Sequence, residues 1–215
     1  MKKKLKIKIC GINDKKSAKA SKGADFIGFV FYQKSSRFIT SFEARKLSEC
    51  LEKNQKKVGL FVNSDINLIK HISDYVKLDM IQLHGNESVD AIKSIRQIIS
   101  KPIIKAIHVS SETDIQSSKK YENVCDILLF DTKVSDNNVF GGSGLSFDWE
   151  MLKNFRSKKK WILAGGLNID NVKDAITKTG AEIIDISSGV EKEKGVKCTT
   201  KIKKLIQYVK ESNFQ

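Results

Sequence analysis

Eight short apolar runs punctuate the chain, and their number constrains the fold more than any other feature. They are Leu5–Cys10, Phe26–Phe31, Val58–Val62, Met80–Leu83, Ile103–Val109, Ile127–Phe130, Trp161–Ala164 and Ile183–Ile186. Most are continuous rather than alternating and rich in Ile, Val and Phe, as expected of strands covered on both faces. Between them, residues fall at helical spacing: Phe42, Ala44, Arg45, Leu47 and Leu51; Ile66, Ile69, Ile72, Tyr75 and Val76; Val172, Ala175 and Ile176; and, after the last run, Ile202, Leu205, Ile206 and Val209. Strand alternating with helix implies parallel strands joined by right-handed crossovers. Eight such units in 215 residues predict an α/β fold, the eight-stranded parallel (β/α)8 TIM barrel, at the low end of its usual size. An open doubly wound sheet needs only five or six strands. No linker or composition break interrupts the pattern, so residues 1–215 are expected to form a single domain.

Composition narrows the function. No stretch of 18 apolar residues exists, so no membrane span is expected. The start, MKKKLKIKIC, has the basic flank of a signal peptide, but Lys6 and Lys8 interrupt the apolar run that must follow. Those lysines read as a solvated N-terminus. Cys10, Cys50, Cys125 and Cys198 form no CxxC pair or Cys/His cluster. Neither a disulfide framework nor a metal site is expected, and free thiols suit a cytoplasmic location. The net charge of +14 invites a nucleic-acid partner, yet only four of the 39 basic residues are Arg: Arg37, Arg45, Arg96 and Arg156. Bidentate base reading leans on Arg, and the lysines are scattered. The excess charge therefore reads as solvated surface, with no nucleic acid and no membrane as partner.

In such barrels the active site forms at the C-terminal ends of the strands. Polar, ionisable and glycine residues concentrate there: Cys10 and Gly11, then Ser35, Ser36 and Arg37, Asn63, Gln82, His84 and Gly85, Asp131 and Thr132, Gly165 and Gly166, and Asp185 with Ser187, Ser188 and Gly189. Three glycine-rich loops stand out: Gly141-Gly142-Ser143-Gly144, Gly165-Gly166 and Ser188-Gly189. Glycine lets backbone N–H groups approach an anion, and a following helix adds its dipole; Asn168 or Asp170 is placed to cap such a helix. Loops after strands seven and eight are this fold's usual phosphate grip, so a phosphorylated small molecule is the expected ligand. Gly141, Gly142, Gly144, Gly165, Gly166, Ser188 and Gly189 are its candidate contacts. Neither a Walker A loop nor a dinucleotide fingerprint is present.

Eight ordered segments carry a resemblance. KIKICGI (6–12), GADFIGFVFYQKSSRFI (23–39), VGLFVN (58–63), IQLHGNE (81–87), LLFDT (128–132), GGSGLSFDW (141–149), LAGGLNIDNV (163–172) and DISSGVEKEKGVK (185–197) resemble the phosphoribosylanthranilate isomerases, from residue 6 to about residue 205. The resemblance implies an aldose–ketose isomerase of tryptophan biosynthesis that uses no metal and no cofactor. Its Amadori rearrangement turns N-(5-phosphoribosyl)anthranilate into 1-(2-carboxyphenylamino)-1-deoxyribulose 5-phosphate. Cys10 matches the family's general base and Asp131 its general acid. As a proton donor near neutral pH, Asp131 is expected to have a raised pKa. Arg37 matches the residue that holds the anthranilate carboxylate, and Gln82, His84 and Asp185 match polar positions around the sugar. Trp149 and Trp161 read as packing residues.

The chain departs from the family pattern twice. Ser35-Ser36-Arg37 stands where SPR is common, and Lys194-Gly195-Val196-Lys197-Cys198 stands where a PGxKD run is common. The second departure leaves the geometry of the loop before the last helix open. A histidine-pathway sugar isomerase resembles a design with Asp at the end of strand one, where this chain has Cys10. Indole-glycerol-phosphate synthase needs a longer chain. The alternative from another class is a basic binding protein on a catalytically silent phosphate-binding barrel, against which Cys10, Asp131 and Arg37 argue. Monomer and homodimer are both compatible with the sequence.

Overall fold

The computed structural model describes residues 5–132 and 146–212. Eight parallel strands close in chain order: β1 (Lys6–Cys10), β2 (Phe26–Val30), β3 (Lys56–Phe61), β4 (Met80–Leu83), β5 (Ile103–Val109), β6 (Ile127–Thr132), β7 (Lys160–Leu163) and β8 (Ile183–Ile186). Outside them lie α1 (Lys15–Ala20), α2 (Ser41–Ser48), α3 (Ile66–Val76), α4 (Val89–Ile98), α5 (Glu112–Ser117), α6 (Val172–Thr179) and α7 (Thr199–Glu211). Between β6 and β7 the described residues hold a 3-10 turn, Trp149–Leu152. A second 3-10 turn, Ser188–Val190, and a small hairpin of β9 (Glu191–Glu193) and β10 (Val196–Lys197) lead from β8 into α7. The expected barrel is present, with strand ends within two residues of the apolar runs.

Local sequence explains the helix boundaries. Thr40 and Glu43 form a reciprocal capping box at the start of α2. Asp65 caps α3 by accepting from the N–H groups of Asn67 and Leu68, and Lys77 ends it in the left-handed region at φ 57°. The α2 helix stops at Ser48, so Leu51 lies beyond it.

Each strand divides its side chains by parity, since successive residues face opposite sides. On β1, Ile7 and Ile9 join the layer under the helices, with Ile27, Phe29, Ile81, Leu83, Phe130, Ile184 and Ile186. The opposite parity fills the barrel with Phe26, Val58, Met80, Ile104, Leu129, Ile162 and Ile183. Trp161 packs edge-on against Phe130 and Phe155, at 5.9 and 6.1 Å between ring centroids, and Trp149 is buried.

Lys8 corrects one expectation. It shares the inward parity of Cys10 and is fully buried, whereas Lys6 is exposed. The register of β1 on β8 places Lys8 opposite Asp185, and its ammonium lies 2.7 Å from Asp185 Oδ2. Burial works against its charge, but Asp185 and Cys10 together outweigh burial and hold the Lys8 pKa above its ordinary value. Lys105 and Lys197 are also buried, each with a carboxylate partner, Glu87 and Glu191 respectively. Scatter along the chain therefore did not mean exposure, because each of these lysines is covered by the fold and held beside a carboxylate, which sequence spacing does not reveal.

Removing one partner of a buried ion pair strands the other charge. Lys8→Met should therefore destabilise the fold by about 3–5 kcal/mol, while the double change Lys8→Met/Asp185→Leu should recover most of the loss. Urea unfolding of the three proteins checks this; equal destabilisation by the single and double changes would show that the pair is not coupled.

Candidate active site

One pocket opens at the C-terminal end of the barrel. Its wall includes Cys10, Tyr32, Ser35, Arg37, Gln82, His84, Asp131, Gly165, Gly166, Asp185 and Ser188, over a floor of Val30, Leu60, Val62 and Ala164. It therefore gathers every described residue expected at the site except Gly189. Cys10, Gln82, Asp131 and Asp185 arrive there by inward parity on β1, β4, β6 and β8, and His84 continues the inward parity of β4 one residue past its end.

Cys10 occupies one side. Gly28 faces it across the β1–β2 register, where a Cβ would lie 2.8 Å from Cys10 Sγ, so glycine leaves the thiol its space. Ser187 Oγ donates to the Cys10 carbonyl at 3.1 Å. Burial pushes the thiol pKa up; Lys8 and Lys197 pull it back only in part, and the Asp185 carboxylate adds to the rise. The Lys8 charge lowers the thiol pKa more than that of Lys197, which makes it the main source of positive charge for a thiolate. Asp185 Oδ1 is buried with no hydrogen-bond partner among the described residues.

Asp131 and His84 occupy another side. His84 Nε2 lies 3.3 Å from Asp131 Oδ2, and the Thr132 N–H donates to Asp131 Oδ1 at 2.9 Å. Gln82 Nε2 lies 2.9 Å from His84 Nδ1, and His108 Nε2 donates to the His84 carbonyl at 3.1 Å. The expected rise in the Asp131 pKa is not found. Burial does push it up, but the His84 hydrogen bond and charge, with His108 and the Thr132 N–H, outweigh burial and hold the carboxyl below its usual range. His108 is pushed down to about 4 by burial and by His84.

At the mouth, Arg37 forks onto Glu191 through Nε at 2.6 Å and Nη2 at 2.8 Å, and Lys197 reaches the same carboxylate at 2.8 Å. Arg37 is thus buried and braced from below while it lines the pocket. The loop left open by the second sequence departure closes as the β9–β10 hairpin. Gly195 turns it at φ 86°, its N–H donates to Glu191 Oε2, and a Cβ there would press on Ser36.

Gly165 meets the pocket beside Asp131, and Gly166 and Ser188 line it as well. Gly165 and Gly166 both adopt positive φ, at 87° and 66°. Ser188 and Gly189 begin the 3-10 turn after β8, whose leading N–H groups no turn carbonyl can take. Gly189 backs Ser188 rather than lining the wall: any side chain there would collide with the Leu167 carbonyl. Asn168 organises the entry to α6 by accepting from the N–H groups of Asp170 and Asn171, while Asn171 Nδ2 donates to the Gly166 carbonyl. Gly141, Gly142 and Gly144 lie outside the described residues. Among the described residues no three His, Cys, Asp or Glu side chains converge to hold a metal.

Sequence reasoning missed Lys8, His108, Glu191 and Lys197. A lysine two positions before Cys10, in an otherwise apolar run, was a readable signal for Lys8. His108 falls inside its apolar run rather than after it. For Glu191 and Lys197, in a charged loop, no local signal existed.

Comparison with known proteins places this geometry among relatives. A profile of the N-(5'phosphoribosyl)anthranilate (PRA) isomerase family matches residues 7–208. The N-(5'-phosphoribosyl)anthranilate isomerase of Thermotoga petrophila is 39% identical over 209 residues, covering 96% of this chain and 98% of the relative. The crystal structure of phosphoribosyl anthranilate isomerase from Thermotoga maritima superposes with a TM-score of 0.86 at 37% identity, covering 96% of this chain and 98% of that one. A phosphoribosyl anthranilate isomerase solved in complex with reduced 1-(o-carboxyphenylamino)-1-deoxyribulose 5-phosphate superposes at 0.81 and 35% identity, with the same coverage.

The depressed proton affinity of His108 has a measurable consequence. Its pKa is about 4 in the folded chain against the ordinary 6.5, so the unfolded chain binds a proton first as pH falls. Its contribution is complete above about pH 6.5 and is lost as pH drops toward 4, by up to about 3 kcal/mol. Urea unfolding at pH 7 and 5 should show wild type weakening by about 2 kcal/mol more than His108→Gln. Equal pH dependence in the two proteins would refute this origin.

Proposed function

This chain belongs to the N-(5'-phosphoribosyl)anthranilate isomerase family, and we propose that Cys10 and Asp131 carry out its isomerisation as base and acid. The activity is the Amadori rearrangement of an aldose to a ketose in tryptophan biosynthesis, on a phosphorylated aminosugar. The observation that carries the residue assignment is the shared pocket, in which Cys10 on β1 and Asp131 on β6 enter one cavity bordered by the glycine loops after β7 and β8.

The chemistry needs one proton given and one removed. Asp131 protonates the ribose ring oxygen, the C1–O bond breaks, and the anthranilate nitrogen lone pair forms the Schiff base. Cys10 then takes the proton from C2, and the electron pair moves to give the enolamine. Ketonisation adds a proton at C1 and removes one from the C2 hydroxyl. Lys8, beside the thiol, stabilises the thiolate that this requires. In the free site the proton favours Cys10 over Asp131, the reverse of the reactive arrangement, at the same net charge. The phosphate and carboxylate of a bound substrate add negative charge and exclude water, which favours a protonated Asp131 and works against the thiolate, so the Lys8 charge has to sustain it.

Gly165, Gly166, Ser188 and Gly189 supply the phosphate grip in this reading, with Gly189 contributing backbone only because no side chain fits there. Arg37 meets the anthranilate carboxylate. The partner is the phosphorylated small molecule, and the chain acts in the cytoplasm as a monomer or homodimer without nucleic acid. No described helix is long and apolar enough to cross a membrane.

The assignment is tested by following the loss of phosphoribosylanthranilate fluorescence under single-turnover conditions. Cys10→Ala and Asp131→Asn should each slow the reaction at least ~10²-fold, the scale of a positioned proton-transfer group. Cys10→Ser should not rescue, because an alkoxide forms far less readily than a thiolate. A wild-type rate in Cys10→Ala would return Cys10 to a packing role.

Arg37 should show in binding rather than in chemistry. Arg37→Ala should weaken substrate affinity by about 1.5–3 kcal/mol, the worth of a charge-assisted hydrogen bond, and Lys should restore only part of it. Because Glu191 loses a partner as well, affinity is read by substrate titration of the folded protein, with unfolding measured alongside. An unchanged affinity in Arg37→Ala would place the carboxylate elsewhere.

A further inference from the structure

We propose that Gln82 is a positioning residue whose side-chain amide sets the proton content of the His84–Asp131 dyad by presenting either its nitrogen or its oxygen to the His84 ring. The inference rests on the reading of Asp131 as the proton donor and deepens it. Gln82 is fully buried in β4, two residues before His84 on the same inward face. Its Nε2 lies 2.9 Å from His84 Nδ1, while its Oε1 is buried with no hydrogen-bond partner among the described residues. The amide thus meets the ring with one of its two polar atoms and leaves the other unused. A half-turn about its last torsion exchanges them.

The two orientations correspond to two proton counts. With Nε2 toward the ring, the amide donates to Nδ1, so His84 carries its hydrogen on Nε2 and donates it to Asp131 Oδ2. Asp131 is then a carboxylate and the dyad holds one proton. With Oε1 toward the ring, Nδ1 must bear a hydrogen. Nε2 then either accepts from a protonated Asp131 or completes an imidazolium against the carboxylate, and the dyad holds two protons in both cases. That second proton is the one delivered to the ring oxygen; after delivery the amide turns back, and the dyad keeps one. An alanine or leucine in place of Gln82 satisfies neither state.

The surroundings leave the second proton few other places. His108, on β5, donates to the His84 carbonyl and stacks edge-on against the ring at 5.1 Å. It stays neutral above about pH 4. Lys105, also on β5, is committed to Glu87 and the Gly85 carbonyl. Across the pocket, Cys10 on β1 faces the dyad, Asp185 on β8 is paired with Lys8, and Arg37 after β2 is paired with Glu191.

The test compares wild type, Gln82→Glu and Gln82→Met by single-turnover rate against pH, alongside 15N NMR of the His84 ring. A carboxylate at residue 82 always accepts from Nδ1–H, so Gln82→Glu should move the alkaline limb of the profile up by at least about one pH unit. Gln82→Met offers no acceptor to the protonated ring and should move it down by a similar amount. In wild type, His84 Nδ1 should change from acceptor to protonated nitrogen as pH falls through the kinetic limb. Unmoved limbs with a uniform loss of rate, or an Nδ1 that never gains a proton, would overturn the proposal. Should Gln82→Glu not fold, Gln82→Met and the wild-type NMR titration decide it. An inactive Asp131→Asn with unmoved Gln82 limbs overturns this proposal alone, whereas a fully active Asp131→Asn overturns the reading of Asp131 as acid and this proposal with it.

Discussion

A lysine inside a barrel of apolar side chains keeps its charge only because a carboxylate is fixed beside it. Lys8 and Asp185 supply that arrangement at the seam where β1 closes on β8, in register and 2.7 Å apart. The pair ties barrel closure to chemistry, since the Lys8 charge acts on the Cys10 thiol, and Asp185 lines the pocket with its second oxygen unpartnered among the described residues. In a dry interior such a pair does not add much net stability over an apolar replacement, but it fixes register because neither charge tolerates losing the other. A one-residue slip of β1 would turn Lys8 and Cys10 outward together.

The rest of the pocket follows the same logic of paired charge. Glu191 binds Arg37 and Lys197 at once, so the guanidinium at the mouth is held by a carboxylate of the protein itself. Glu87 gathers Lys105 with the N–H groups of Asn63 and Gly85, and so fixes the loop that follows His84. Each buried cation has a carboxylate, and Glu87 and Glu191 also accept from backbone N–H groups, which is the condition under which burial of charge is tolerated; Asp185 has Lys8 alone among the described residues. These pairs fix the charged side chains around the pocket before any ligand enters, and such fixed placement is what positioned proton-transfer groups require.

Protonation is the feature that this fixed placement leaves adjustable. Burial raises the Cys10 thiol, while the hydrogen bonds around Asp131 lower its carboxyl, so the resting site keeps its proton on Cys10 rather than on Asp131. His84 links the carboxyl to Gln82, a side chain that can donate or accept at the same position. Asp131 is therefore better described as part of a coupled group than as a lone carboxylate.

Fold class and site location were legible in the sequence because both rest on local patterns. Eight apolar runs separated by helical spacing specify parallel strands covered on both faces, and residues at their C-terminal ends must gather at one mouth. Cys10, Gln82, Asp131 and Asp185 were readable because a strand's period of two places them inward once the run is recognised. The fate of the lysines was not legible: Lys8, Lys105 and Lys197 look like the solvated lysines around them, and burial was decided by which carboxylate the closed barrel placed nearby. The pKa of Asp131 was likewise settled by the fold, for His84 just past β4 and His108 on β5 reach it across the closed sheet rather than along the chain. Sequence by itself determined the elements and the chemistry on offer. Only the tertiary structure decided charge state and partnership, because electrostatic interaction depends on distance through space and on the loss of water, and neither is written in the order of residues.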